Sequence, residues 1–181
     1  MTKYTATVLL TVLLCSCSAD HRARNIIAEY KAAVEKHDES AISRLTCRTM
    51  RDYIDQQYFN HEKAAAFIDE IMKAPVRTLR GKHAVAYVGW VPTLGEQRLF
   101  AVLVGEPNTI NTFAALRDHP STDKTDWQLS MVCDEALGAV RTEAERPRVN
   151  DKLANVDEQL LTAVLFEGDN HAKHALADRL Q

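Results

Sequence analysis

The chain has 181 residues, 46% of them hydrophobic, and a formal net charge of −3. That composition excludes a disordered chain. No long basic block occurs, which excludes nucleic acid as a partner, because phosphate binding needs clustered Lys and Arg. Gly-rich phosphate loops, G-x-S-x-G and H-E-x-x-H are all missing from the sequence, so no motif marks a reaction.

The N-terminus carries the clearest signal. Lys3 precedes Tyr4–Leu14, a run without charge, Pro or Gly, and charge returns at Asp20, His21 and Arg22. This is the length of a signal-peptide apolar region and falls short of the roughly 20 residues a membrane-spanning helix needs. The run ends in Leu14-Cys15-Ser16-Cys17, which resembles the lipobox of bacterial lipoproteins: Leu at −3, a small residue at −1, then the lipidated Cys. The resemblance covers about the first 17 residues. It implies that 1–16 are a signal peptide, that Cys17 becomes an acylated N-terminus, and that 17–21 form a lipidated tether. Each buried methylene contributes about 0.8 kcal/mol, so more than one acyl chain holds a protein firmly at a bilayer. Two other readings stand beside it: ordinary signal-peptidase cleavage after Cys17-Ser18-Ala19, and an uncleaved anchor or buried N-terminal helix. Either cleavage route exports the domain. Lipidation would place it on the cell membrane or outer membrane, facing the extracytoplasmic side.

Removing residues 1–16, which hold one Lys and no acid, takes the net charge to −4 and leaves 165 residues, enough for one domain with a real core. Of four cysteines, Cys47 and Cys133 then remain as an even pair in an oxidising compartment. They are expected to form a disulfide; two buried thiols are the alternative. Neither has a CxxC or CxxH neighbour of the kind a zinc site uses.

The elements follow in order. Ile26, Ile27, Tyr30, Ala33 and Val34 make one apolar helical face over 22–37. His37-Asp38-Glu39-Ser40 interrupts it, and Asp38 or Ser40 can cap a short helix carrying Ile42 and Leu45 towards Cys47. A helical face continues over 49–59. Asn60 can cap a helix over 61–73 with Ala64, Phe67, Ile68, Ile71 and Met72 on one side, stopped by Pro75. Strands are predicted at 83–91, 98–104 and 127–134, and 110–117 leans to a strand. Residues 141–152 read as a polar linker or a solvated helix end. A helical hairpin follows, Leu153–Leu165 and Ala172–Leu180, joined by Gly168-Asp169-Asn170. The hairpin is expected to dock on the outside of the sheet domain or to bind a partner, and a chain ending near Val140 to stay folded.

Helices followed by an antiparallel meander imply α+β. EYKAAVEKHDESAISRLTC, the sheet after the helices and a strand opening with Trp127 after a polar turn together resemble the NTF2-like (cystatin-like) superfamily over residues 22–136. The resemblance implies N-terminal helices packed on one face of a curved antiparallel sheet in a domain spanning 22–140, with 141–181 as linker and hairpin. It also implies a cone-shaped pocket in which some relatives place an acid, a His or a Tyr for isomerisation or dehydration. Tyr53, Asp55, Tyr58 and Tyr87 are the residues expected to line it, with His61 and His83 also considered; core packing and surface exposure are the plainer fates of these side chains. His171 and His174 lie three apart on a predicted helix, a spacing that can hold a divalent metal but more simply marks a solvated face. No metal or cofactor is expected. The leading expectation is a lipid-anchored cell-envelope protein whose domain binds an envelope protein or a small apolar ligand without catalysis. The alternative is a pocket enzyme of the isomerase or dehydratase kind.

Overall fold

The structure is a computed structural model describing residues 3–48, 50, 51, 54, 60–93, 96–110, 126–133, 137 and 142–181, with side chains from residue 18 onward. Helix α1 spans Lys3–Glu35 and runs through the lipobox-like segment into the domain. Among its described side chains the buried apolar stripe runs through Ala19, Ala23, Ile27, Tyr30, Ala33 and Val34. At its C-terminus His37 turns left-handed at φ 52°. The amide of Asp38 then reaches back to the Ala33 carbonyl at 2.9 Å, and that of His37 to Val34 at 3.1 Å. These are the two bonds of a Schellman ending, with His where Gly is the common choice. Asp38 goes on to cap α2 (Glu39–Leu45), accepting from the Ala41 amide at 3.0 Å. Asn60 caps α3 (His61–Lys73) through the Lys63 amide at 2.9 Å. Both caps and both helices are as the sequence predicts.

Four antiparallel strands follow as a meander ordered β1-β2-β3-β4: β1 Arg77–Arg80, β2 Ala84–Thr93, β3 Glu96–Gly105 and β4 Gln128–Val132. A short helix, α4 (Pro107–Ile110), follows β3; of the 110–117 stretch that leaned to a strand only Ile110 lies within the described residues. The outer edge of β4 is partly covered by Thr46, which makes a parallel bridge to Leu129. The tail is helical in pieces: α5 (Arg146–Ala154), α6 (Glu158–Thr162), a π-helical turn (Ala163–Glu167) ended by left-handed Gly168, and α7 (Asn170–Leu180) capped by Asp169.

Strand side chains alternate, so the register divides the sheet into two faces. Tyr87, Gly89, Phe100, Val102, Leu129 and Met131 share one face. It packs on α1 and α3. Tyr87 bonds Asp20, Phe67 meets the Phe100 ring edge-on at 5.5 Å, and a Cβ on Gly89 would lie 3.1 Å from Ile71. Leu79, Ala86, Val88, Trp90, Leu99 and Leu103 share the opposite face. That face packs on the tail: Trp90 Nε1 donates to Asn150 Oδ1 at 2.6 Å, and Arg77 donates to the carbonyl oxygens of Ala154 and Val156.

The result is α+β in three layers, helices on both faces of an antiparallel sheet. The N-terminal helices cover one face, as expected, and the tail docks on the other, where it shares the core with the sheet: Val149, Leu153, Leu161, Val164, Leu165, Leu176 and Leu180 belong to one continuous cluster with it. The expected polar linker contributes to it, because Val149 is buried within α5. Residues 17–21, expected as a lipidated tether, are helical, and Ala19 is buried.

Among the described residues the core contains one polar flaw. Ser130 is fully buried on β4, and its Oγ has no hydrogen-bond partner. An unsatisfied buried hydroxyl costs about 1–3 kcal/mol, and Ala keeps nearly the same shape. Ser130→Ala is therefore expected to stabilise the protein by about 1 kcal/mol, read as a higher urea midpoint with an unchanged slope. A lower midpoint would show that the hydroxyl is bonded in solution.

Candidate functional site

Tyr53, Asp55 and Tyr58 lie outside the described residues, as do the side chains of α1 up to Cys17. Tyr87 is described and has no exposed surface. Its hydroxyl donates to Asp20 Oδ1 at 2.8 Å, while Arg24 Nε donates to Asp20 Oδ2 at 2.9 Å. Arg80 Nε stands 3.8 Å from Asp20 Oδ1, and the Arg24 guanidinium lies 5.6 Å from the Tyr87 ring centroid. Burial alone would raise the Asp20 pKa, but the bonds from Arg24 and Tyr87 and the charges of both arginines outweigh it and hold the carboxyl below its ordinary value. Burial first, and then the Asp20 bond and charge, push the Tyr87 phenol up. The cluster joins α1 to the sheet and engages the hydroxyl that the resemblance would have aimed into a pocket.

Tyr30 and His61 make a similar joint between α1 and α3. The Tyr30 hydroxyl lies 3.0 Å from His61 Nδ1 and donates to the His61 carbonyl at 3.3 Å. Burial and then the Glu62 charge raise the Tyr30 pKa.

The expected disulfide is not formed in this structure. The Cys47 amide donates to the Leu129 carbonyl at 2.9 Å, which fixes Cys47 beside the start of β4. His171 and His174 sit exposed on α7. Among the described residues no group of three His, Cys, Asp or Glu could hold a metal ion.

What sequence reading missed is a groove of about 390 Å³ between the β1–β2 turn and the tail. Arg80, Lys82 and His83 form one wall, and His83 Nδ1 is held 3.0 Å from Glu106 Oε1. Glu158, Thr162, Phe166 and Glu167 form the other, with Asn108 and Thr109 between the walls and Leu79 and Ala84 beneath. Phe166 and Glu167 reach the groove from the π-helical turn, a rare conformation frequent at functional sites. Nothing local in the sequence marks these residues, because three separate elements bring them together.

The chain matches no protein family model, no curated protein and no solved structure.

Proposed function

We propose that this protein is a lipid-anchored binding protein of the bacterial cell envelope, acylated at Cys17, whose folded part carries an elaborated NTF2-like core. One observation carries the reading. The lipobox-like Leu14–Cys17 stands only Ser18 away from Ala19, the first buried residue described, on the same continuous helix. A lipid on Cys17 would join the bilayer directly to the folded domain, held by the Asp20 cluster, with no flexible spacer. No helix among the described residues is long and apolar enough to cross a membrane, so attachment by acyl chains suits the segment better than a span. The order α1, left-handed break, α2, then the meander supports the NTF2-like assignment. The tail over the second face is the elaboration. A binding role suits a domain whose buried Tyr87 hydroxyl is committed to a structural bond and whose groove walls carry unlike charges.

Cys17→Ser tests the anchor. In a bacterial host fed labelled palmitate, the wild-type protein is expected to take up label and to sediment with membranes. The variant is expected to lose the label entirely. Equal labelling of the two would rule out Cys17 as the acylated residue.

A further inference from the structure

The groove between the β1–β2 turn and the tail holds opposite charges apart. Lys82 stands exposed on the turn, and Glu158 and Glu167 stand exposed on the tail. None of the three forms an ion pair with another described residue. Such an arrangement is stable in water, where exposed charges are well solvated and gain little by pairing. It becomes favourable when a ligand supplies both counter-charges at once. Phe166, half-buried, and Leu79, buried, also line the groove, so part of its surface is apolar. Asn108 and Thr109 add hydrogen-bonding groups along its length. The volume falls in the lower part of the roughly 300–1,000 Å³ range of small-molecule sites.

We infer that the groove binds a small zwitterion with an apolar body, an apolar dipeptide being the size that fits. The ligand carboxylate meets Lys82, its ammonium meets Glu158 and Glu167, and its side chain lies against Phe166. Arg80 lies by register on the Tyr87 face, where its Nε stands 3.8 Å from Asp20, so Lys82 is the cation the groove offers. Glu158 and Glu167 flank the π-helical turn, one on α6 and one at the turn's end. The extra residue per turn there changes the angle at which successive side chains leave the helix, which accounts for Phe166 and Glu167 both reaching the groove. A purely anionic ligand would face two unopposed carboxylates, and a purely cationic one would face Lys82. The unlike walls therefore select against both.

This inference rests on reading the folded part as a binding domain, and it does not depend on the anchor. The test is isothermal titration of the full chain in detergent with leucyl-phenylalanine, its N-acetyl form and its C-terminal amide. Saturable 1:1 binding of the free dipeptide is expected, falling at least tenfold when either end is blocked. Lys82→Ala should weaken the free dipeptide by a similar factor and leave the amide unchanged, since the amide no longer carries the group Lys82 meets. Glu158→Gln with Glu167→Gln should do the same for the free dipeptide and spare the N-acetyl form. Exposed positions are chosen so that folding is unaffected, and circular dichroism of each variant checks it. No saturable binding of the dipeptide, or binding indifferent to these substitutions, overturns the inference. Palmitate labelling at Cys17 is read on the same preparations, so loss of the groove with intact labelling leaves the anchored reading standing.

Discussion

A chain ending at residue 141 is expected to lose cooperative unfolding. The tail buries eight large apolar side chains, Val149, Leu153, Val156, Leu161, Val164, Leu165, Leu176 and Leu180. Full burial of each contributes roughly 1.5–3 kcal/mol before the entropy of ordering is counted. Together they rival the whole stability of a typical domain, about 5–15 kcal/mol. Removing them also strips the sheet face carrying Leu79, Ala86, Val88, Trp90, Leu99 and Leu103, and leaves the Trp90 indole without Asn150. An apolar sheet face of that size in water invites association between copies. The shortened chain should therefore bind a hydrophobic dye, lose its near-ultraviolet dichroism and show no sigmoidal urea transition. A single sharp transition near the full-length midpoint would mean that the tail is a separable unit after all.

That outcome bears on what the sequence could tell. Helices were legible wherever 3.6-residue spacing coincided with a cap, as with Asp38 before α2, Asn60 before α3 and Gly168 after the π-helical turn. Strands β2 and β3 were legible from Val and aromatic content. Their composition also carried the double covering: AVAYVGWV and LFAVLV are nearly continuous apolar runs, whereas a strand with one wet face alternates. The signal was present, but the polar run at 141–152 argued the other way, and a single Val within it proved to be buried. β1 was not legible, because RTLR is short and half polar and becomes a strand only by pairing with β2. The groove and the Asp20 cluster were beyond local reading. Asp20 and Tyr87 are 67 residues apart, and only the packing of α1 across the sheet brings them within 2.8 Å. Residue types could suggest that Tyr87 was special. They could not say that its hydroxyl would be spent on holding a helix.

That helix contact yields the second large effect. Asp20→Ala is expected to lower stability by about 2 kcal/mol at pH 7, since hydrogen bonds to a charged group contribute roughly 1.5–3 kcal/mol and a buried Tyr87 hydroxyl loses its acceptor. The Asp20 carboxylate is only 20% exposed, so solvent screens it weakly. The effect should depend on pH with a definite sign. The Asp20 pKa is lower in the folded protein than its ordinary 3.8. Between the two values the unfolded chain binds more protons, so stability rises with pH there. The Asp20 contribution is thus fully present above the unfolded value and disappears as pH falls through the folded one. The Tyr87 phenol has the opposite sign at the other limit: its pKa is raised in the fold, so its contribution is intact below the ordinary value of 10.0 and is lost as pH climbs past it. Urea unfolding of wild type and Asp20→Ala should then differ by a constant amount from about pH 5 to pH 9 and draw together as pH falls below the ordinary 3.8. Tyr87→Phe should reduce the cost of Asp20→Ala, because the two groups share one bond. A difference that persists unchanged to pH 3, or full additivity of the two substitutions, would show that Asp20 acts through packing alone and not through its charge.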